Sequence, residues 1–421
     1  MTRAPTWLRS LAAGARGMTG GGWALAALVL GLVVGIGRSL VTARLIGTHA
    51  VGTFGFALLV LATVDALTAS AAETALITHP GDPEPDLDPT FSLRLGQGAL
   101  GAALMLALAP AAGAFFGSDA LPAIVRALAV VPLVRGAANP AAILLTRRAE
   151  FRRLFWWGLP ELVVGTVLVV VVALLRRDAW APALAMIGAQ LVSTAASYAL
   201  APRVPRLALR GPGAARLLHF GRWSQATRVL MFVALYLDNA VVGRVLGAAA
   251  LGIYQLAFRI GETAIVTVGR AAAQVMLPAL TQLRPHPRRL RREYGRMLRL
   301  VVVANGAIAL AIVVGIRPVV AALLGAAWLP LVPVARILAV AMVLRNVMLL
   351  AVQLLYALER PRLVFAVNAA RIVVLGATLS PLLARFGLPG VAGSVLLSCV
   401  AAAAGSVAAT RASLRLPATA A

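Results

Sequence analysis

The sequence has 421 residues, of which 61% are apolar and 13% are charged, and its formal net charge is +25. The mean hydropathy of +0.91 is too high for a soluble domain. Nucleic-acid binding, the usual function of a strongly basic soluble chain, is excluded because the charges lie mostly between long apolar blocks. All 39 basic residues are arginine, so the lysine of a Walker A phosphate-binding loop is absent. The single cysteine, Cys399, allows no intramolecular disulfide.

Twelve apolar blocks follow one another along the chain, and each is close to the roughly 20 residues that a helix needs to cross a bilayer. They cover residues 23–42, 51–77, 96–116, 121–145, 155–175, 180–201, 223–243, 251–280, 300–316, 328–357, 363–383 and 389–410. The first block is too long for a signal peptide and is followed by further blocks, so we interpret it as the first membrane helix. The predicted fold class is all-α, a polytopic membrane protein of about 12 transmembrane helices.

The arginines predict the orientation in the membrane. If the N-terminus is cytoplasmic, the cytoplasmic segments hold 24 arginines and the opposite loops hold 6, which is the asymmetry of an inner-membrane protein. We therefore predict a multi-pass protein of the bacterial inner membrane with both termini in the cytoplasm. The acidic connection at residues 82–88 departs from this pattern, but acidic residues contribute little to it. Seven arginines in a predicted loop at residues 284–299 are typical of a cytoplasmic anchor and could attract anionic lipid headgroups.

An internal repeat divides the chain into two halves. The matching pairs are Arg44 and Arg244, Gly47 and Gly247, and Gly52 and Gly252 at an offset of 200, and Arg126 and Arg336, and Arg135 and Arg345 at an offset of 210. Each half holds six predicted helices, so both halves have the same orientation, and parallel repeats of this kind form transporters with a substrate site between the halves. We predict an N-terminal lobe at 1–202, a basic cytoplasmic linker at 203–222 and a C-terminal lobe at 223–421.

Residues 237–259, LDNAVVGRVLGAAALGIYQLAFR, and their counterparts ARLIG at 43–47 and VGTFG at 51–55 carry a family resemblance. They resemble the oligosaccharide flippases, the Wzx-like polysaccharide exporter branch of the multidrug/oligosaccharidyl-lipid/polysaccharide (MOP) superfamily. The resemblance implies two six-helix lobes in a MATE-like V-shaped arrangement. It also implies that the two lobes alternately open to move an undecaprenyl-pyrophosphate-linked oligosaccharide to the outer leaflet. The second helix lacks the glycine pair common in the family, since residues 65–73 read DALTASAAE, which affects its expected packing.

Charged residues within the predicted helices are the candidates for a substrate-binding cavity. A charge at the bilayer centre costs about 2.5–3.5 kcal/mol on insertion scales, so such residues are expected to line a wet interior or to pair with one another. Arginine suits a pyrophosphate because its planar fork pairs with two phosphate oxygens. The candidates are Arg38, Arg135, Arg228, Asp238, Gln255, Arg259, Glu262, Arg270, Arg345 and Arg371.

The predicted eighth helix carries the densest group of candidates. At 100° per residue, Gln255, Arg259, Glu262 and Arg270 share an arc of about 80° and form a polar stripe. In the functional interpretation, Arg259 and Arg270 contact phosphate while Glu262 orients them or carries a proton. In the structural alternative, Arg259 and Glu262 form an ordinary pair at a spacing of three residues.

The seventh helix presents Asp238, which corresponds to Arg38 at the offset of 200. The two charges could form a latch between the lobes, or Asp238 could form a structural salt bridge, for example with Arg244. Three pairs of polar residues each share a helical face, and their side chains could form interhelical hydrogen bonds or contact the substrate. The pairs are Arg135 with Asn139, Asn346 with Gln353, and Asn368 with Arg371.

No catalytic residue, metal site or cofactor is predicted, because the four histidines are scattered without the spacing of metal ligands, and we expect a transporter rather than an enzyme. The expected partners are a lipid-linked oligosaccharide as substrate, membrane lipids, a polysaccharide polymerase and export proteins, and no nucleic acid. The alternative function is a drug/cation antiporter or another small-molecule exporter of the same superfamily, although the number of arginines in the helices favours an anionic substrate. A membrane glycan polymerase or ligase fits poorly, because the predicted outside loops are short.

Overall fold

The computed structural model describes residues 21–68, 84–148, 150–200, 203–208 and 212–415, and all regular structure within these ranges is helical. The α-helices are α1 (Gly21–Thr68), α2 (Leu87–Phe116), α3 (Leu121–Leu128), α4 (Val130–Gly136), α5 (Ile143–Arg147), α6 (Phe151–Arg176), α7 (Trp180–Leu200), α8 (Pro212–Gly261), α9 (Thr267–Gln282), α10 (Pro287–Leu323), α11 (Leu331–Ala357), α12 (Pro361–Phe386) and α13 (Leu388–Arg415). A π-helical turn, Glu262–Val266, joins α8 to α9.

Nine helices in the described ranges are long and apolar enough to cross a membrane, and a tenth span results if the bent set Leu121–Gly136 and Pro140–Arg147 counts as one. Two of these helical stretches contain a break and therefore account for two predicted spans each. Within the described residues, each of the twelve sequence-predicted segments thus corresponds mainly to helix. The end of the second segment, beyond Thr68, and the last residue of the sixth, residue 201, lie outside the described residues. The all-α polytopic fold class is confirmed.

The breaks in α1 and α8 occur at equivalent glycines. Gly47 has φ 79° and ψ 173°, and Gly247 has φ 81° and ψ −176°. Residues with a Cβ rarely adopt this region, which glycine enters readily. The sequence offset of 200 between these glycines therefore coincides with an identical interruption of the backbone in both repeats.

The helical segments that follow the two breaks pack backbone against backbone. A Cβ built on Gly52 would overlap the carbonyl of Ala248, and one built on Gly252 would overlap the carbonyl of Thr48. The two glycines are equivalent in the repeat, so the contact is reciprocal: each repeat presents its glycine to the other's main chain.

Three boundaries differ from the sequence prediction. Helix α2 begins at Leu87 rather than at residue 96, because the acidic segment that was assigned to a connection supplies Asp88 to the first turn, where a negative charge favours the helix dipole. The fourth predicted span is broken, since Asn139 caps a short 3-10 turn that begins at Pro140 and proline cannot continue the preceding helix. The arginine-rich segment predicted as a loop is the start of α10 from Pro287, where Leu290 is buried in the core.

The chain divides into two compact units, Met1–Gly252 and Ile253–Ala421. The first has buried side chains such as Phe56, Leu121 and Leu128 in its interior, and the second has Leu338 and Leu354. The start of α8 therefore packs with the first unit. The lobes at 1–202 and 223–421 and the linker at 203–222 stay a prediction.

Candidate functional site

Charged side chains gather at one place in the first unit, where α1, α2 and α4 meet. Arg135 Nη1 lies 2.8 Å from Asp65 Oδ2, and Arg94 Nη2 donates to the carbonyl of Arg135 at 3.0 Å. Helices α2 and α4 approach closely at Gly98, which has no side chain. A Cβ at this position would lie 2.5 Å from the carbonyl oxygen of Pro132. Of the predicted candidates, this group contains Arg135, and its charge is paired with an acid.

A second group lies in the second unit, and we call Glu262, Arg270, Arg345 and Arg371 the second-unit charge cluster. Arg270 Nη2 donates to Glu262 Oε1 at 2.8 Å, and the side chains of Arg270 and Glu262 are 57% and 33% exposed. Arg345 on α11 lies within Coulombic range of the other three cluster members. The four named residues are three arginines and one glutamate, so together they carry two more positive than negative charges.

The π-helical turn that begins at Glu262 is held by a side chain of α11. Asn346 Nδ2 donates to the carbonyl of Ile265 at 2.8 Å, and Asn346 is 1% exposed. A Cβ on Gly269 would overlap the Asn346 side chain, so only glycine leaves room for this amide. A π-turn is rare and is often found at functional sites; here it directly precedes α9, which carries Arg270.

The remaining stripe candidates lie on the last turns of α8. Gln255 is half-buried and Arg259 is exposed. The acid of the stripe, Glu262, forms an ion pair with Arg270, and the phosphate-binding role of the stripe stays a prediction. The alternative pairing of Glu262 with Arg259 stays a prediction.

The candidates Arg38 and Asp238, both in the first unit, have contacts of their own. Asp238 is 4% exposed, and its Oδ1 accepts hydrogen bonds from the main chain and side chain of Asn239 at 2.8 and 3.0 Å. Arg38 is half-buried against α6, since a Cβ on Gly165 would lie 3.1 Å from Arg38 Nη1. The side chain of Arg228 lies outside the part of the chain that the structure describes.

Arg244, considered above as a partner of Asp238, donates to the carbonyl of Phe115 at 2.6 Å and lies over the Phe115 ring. Its contact therefore joins α8 to the end of α2. The predicted latch between Arg38 and Asp238 stays a prediction.

Two asparagines proposed as either hydrogen-bond donors or ligands have structural contacts. Asn139 is 2% exposed, caps its own turn through the amide of Ala141 and donates to the carbonyl of Arg203 at 2.9 Å. Asn368 donates to the carbonyl of Val364 in its own helix at 2.9 Å.

Sequence reasoning left Asp65 and Arg94 out of the candidate site. Asp65 lies within a predicted helix, but its partner Arg135 is 70 residues away, and no local pattern indicates that contact. Arg94 lies in the connection before the predicted helix at residue 96, and only the earlier start of α2 brings it into the helix that packs against Arg135.

The fold is that of transporters of the MOP superfamily. An inward-facing MATE-family multidrug resistance transporter of that superfamily aligns with a TM-score of 0.71, 16% identity, and coverage of 91% of this chain and 94% of that chain. The lipid II flippase MurJ, in an inward closed conformation, aligns with a TM-score of 0.72, 12% identity, and coverage of 92% and 87%.

The chain belongs to a family of polysaccharide biosynthesis proteins, whose family model matches residues 41–333. The lipopolysaccharide biosynthesis protein WzxC of Escherichia coli is 24% identical over 78% of this chain and 68% of its own length. The teichuronic acid biosynthesis protein TuaB of Bacillus subtilis is 21% identical over 65% and 57%. The succinoglycan biosynthesis transport protein ExoT of Rhizobium meliloti is 22% identical over 58% and 49%. These matches span about half to two thirds of the relatives' lengths. The family match and these relatives confirm the resemblance inferred from residues 237–259.

Proposed function

We propose that the chain translocates an undecaprenyl-pyrophosphate-linked oligosaccharide across the bacterial inner membrane for the synthesis of a surface polysaccharide. In this proposal the two lobes give alternating access to an arginine-lined cavity, and both termini lie in the cytoplasm. The chain acts as a transporter and not as an enzyme. Its substrate reaches it from the membrane, and a polysaccharide polymerase and export proteins use the product.

The observation that carries the proposal is the excess of positive charge in the second-unit charge cluster. Each charge in a membrane helix costs about 2.5–3.5 kcal/mol on insertion scales, and the cluster holds three arginines and one glutamate. Such a cluster is stable if it faces water, and it offers a site for an anion. A pyrophosphate supplies several negatively charged oxygens that arginine forks bind in pairs.

The first unit offers a weaker phosphate site. Arg135 is engaged by Asp65 at 2.8 Å, so its charge is already compensated before a substrate arrives. We therefore assign the pyrophosphate to the second unit. Asp65, Arg94 and Arg135 serve better as polar groups toward the sugars, which hydrogen-bond to both acids and arginines.

A drug/cation antiporter is the second candidate, since the fold is shared with a multidrug resistance MATE transporter at a TM-score of 0.71. The charge of the cluster separates the two candidates. A lipophilic cation gains nothing from three arginines and one glutamate, whereas an anion is attracted.

Binding to the purified full-length chain tests this choice. Farnesyl pyrophosphate should bind at least about ten-fold more tightly than farnesyl monophosphate, which corresponds to about 1.4 kcal/mol, and tetraphenylphosphonium should not compete. Isothermal titration calorimetry in detergent measures all three. The variant Arg371→Gln should lower the affinity for the pyrophosphate, and Arg385→Gln, an exposed arginine beside the Phe386 ring, serves as its matched control. Tight binding of tetraphenylphosphonium with no preference for pyrophosphate would support the antiporter.

A further inference from the structure

The ion pair between Glu262 and Arg270 spans eight positions of the chain. In a regular α-helix, residues eight apart lie about 12 Å apart along the axis and about 80° apart around it. They would therefore lie at the two opposite edges of the predicted stripe, separated by more than two turns along the axis. For Arg270 Nη2 and Glu262 Oε1 to lie 2.8 Å apart, as observed, the two side chains must be closer together around the helix axis than this spacing allows.

The π-helical turn Glu262–Val266 supplies that register. A π-turn holds one more residue than an α-turn, so the helix that follows it is set back by about one residue step, or roughly 100°. Arg270 is then related to Glu262 as residues seven apart are in a regular helix, about 20° apart. The insertion of one residue brings the two side chains onto one face, where Arg345 interacts with both of them.

Asn346 is the side chain that holds this turn from outside its own helix. Its Nδ2 atom donates to the carbonyl of Ile265, inside the π-turn, at 2.8 Å. Its Oδ1 atom is buried without a hydrogen-bond partner among the described residues. A half-satisfied buried amide is unfavourable, so packing alone would favour an apolar side chain here. Gly269 leaves the space that the amide occupies.

We propose that Asn346 is a positioning residue of the anion site: its bond to the Ile265 carbonyl holds the π-turn, and the π-turn sets Arg270 against Glu262 in the second-unit charge cluster. Without the amide, that carbonyl favours a regular α-helical bond, and the downstream helix turns by about 100°. Arg270 then leaves Glu262. The identity of the anion as a pyrophosphate rests on the proposed function, whereas the register itself does not.

A deletion offers a direct test, because it removes the extra residue instead of the amide that holds it. The variants are Asn346→Leu, deletion of Thr263, and the two combined. The matched control is Asn305→Leu, since Asn305 is a fully buried asparagine of α10 whose side-chain nitrogen and oxygen also lack partners among the described residues. A double-mutant cycle is made in each background from Glu262→Gln, Arg270→Gln and both together. The melting temperature of each purified chain in detergent is measured, and the coupling is the departure of the double variant from the sum of the two single effects.

The expected result is a coupling of at least about 2 °C between Glu262 and Arg270 in the parent chain and in Asn305→Leu. The coupling should vanish in Asn346→Leu and return in Asn346→Leu with Thr263 deleted. It should also persist when Thr263 alone is deleted, so the idea remains testable even if Asn346→Leu does not fold. The affinity for farnesyl pyrophosphate should follow the same order, with a loss of about ten-fold, or 1.4 kcal/mol, in Asn346→Leu.

Coupling that survives in Asn346→Leu would overturn the proposal, and so would a folded double variant in which the deletion restores no coupling. If the coupling follows the expected pattern but no form of the chain binds farnesyl pyrophosphate, the positioning role of Asn346 stands. In that outcome it is the pyrophosphate function that fails.

Discussion

Replacement of Arg345 with glutamine should reduce the surface polysaccharide of a complemented deletion strain by at least about ten-fold. Arg345 interacts with Glu262, Arg270 and Arg371, so it is the member of the cluster linked to all the others. Loss of a hydrogen bond to a charged group costs about 1.5–3 kcal/mol, which corresponds to roughly ten- to 150-fold in binding. The measurement is the amount of surface polysaccharide, normalised to the amount of the chain in the membrane.

Two further variants give this prediction its controls. Arg345→Lys keeps the charge but not the planar fork, so it should retain an intermediate amount of polysaccharide. Arg385→Gln removes an exposed arginine from the end of α12, outside the cluster, and should remain within about two-fold of the parent, since surface substitutions usually have small effects. Equal amounts of polysaccharide from Arg345→Gln and Arg385→Gln would exclude Arg345 from the substrate site.

Substitution of Gly52 or Gly252 with alanine should lower the melting temperature by at least about 2 °C. In both cases the new methyl group overlaps a main-chain carbonyl of the opposite repeat. A main chain cannot rotate away as a side chain does, so the two segments must separate. Overpacking of this kind costs about 1–3 kcal/mol, which outweighs the gain of about 0.8–1.0 kcal/mol from replacing glycine with alanine in a helix.

Gly31 and Gly35 provide the matched controls, because they lie in the same helix α1 and a Cβ on either would have nothing within 4 Å. Alanine at these positions adds only helix propensity, so the melting temperature should stay the same or rise. The change in melting temperature should thus be negative at the contact glycines and zero or positive at the controls. This difference distinguishes a close approach of main chains from the effect of replacing any helical glycine with alanine. If Gly52→Ala is as stable as Gly31→Ala, the backbone contact is wrong.

The sequence predicted the helical segments well because the length of an apolar block is a local property. It also predicted the equivalence of Gly47 and Gly247, since a break at a fixed offset is visible in the letters alone. The helical start of α10 is hidden by its run of arginines, a pattern that is typical of a cytoplasmic loop. Arginine is a good helix former, and Leu290 and Tyr294, one turn apart, are buried in the core.

The candidate site could be predicted only in part. The predicted stripe includes both Glu262 and Arg270, which are in contact in the structure. That prediction assumed a regular α-helix with 100° per residue, whereas the structure has a π-turn between the two residues. The π-turn between them depends on the hydrogen bond from Asn346 to Ile265, 81 positions apart in the chain, and no local pattern encodes that bond. The interaction of Arg345 with Arg371 likewise depends on how α11 and α12 pack. Helical periodicity can tell which residues share a face, but not which faces meet.

The most direct measurement is the sidedness of the undecaprenyl-linked oligosaccharide in a strain from which the gene has been deleted. Periplasmic access of a membrane-impermeant glycosidase separates the two leaflets. We expect the lipid-linked oligosaccharide to accumulate on the cytoplasmic side while the surface polysaccharide disappears, and the parent chain to restore both. An unchanged surface polysaccharide with an unchanged, equally accessible lipid-linked pool would contradict the flippase function.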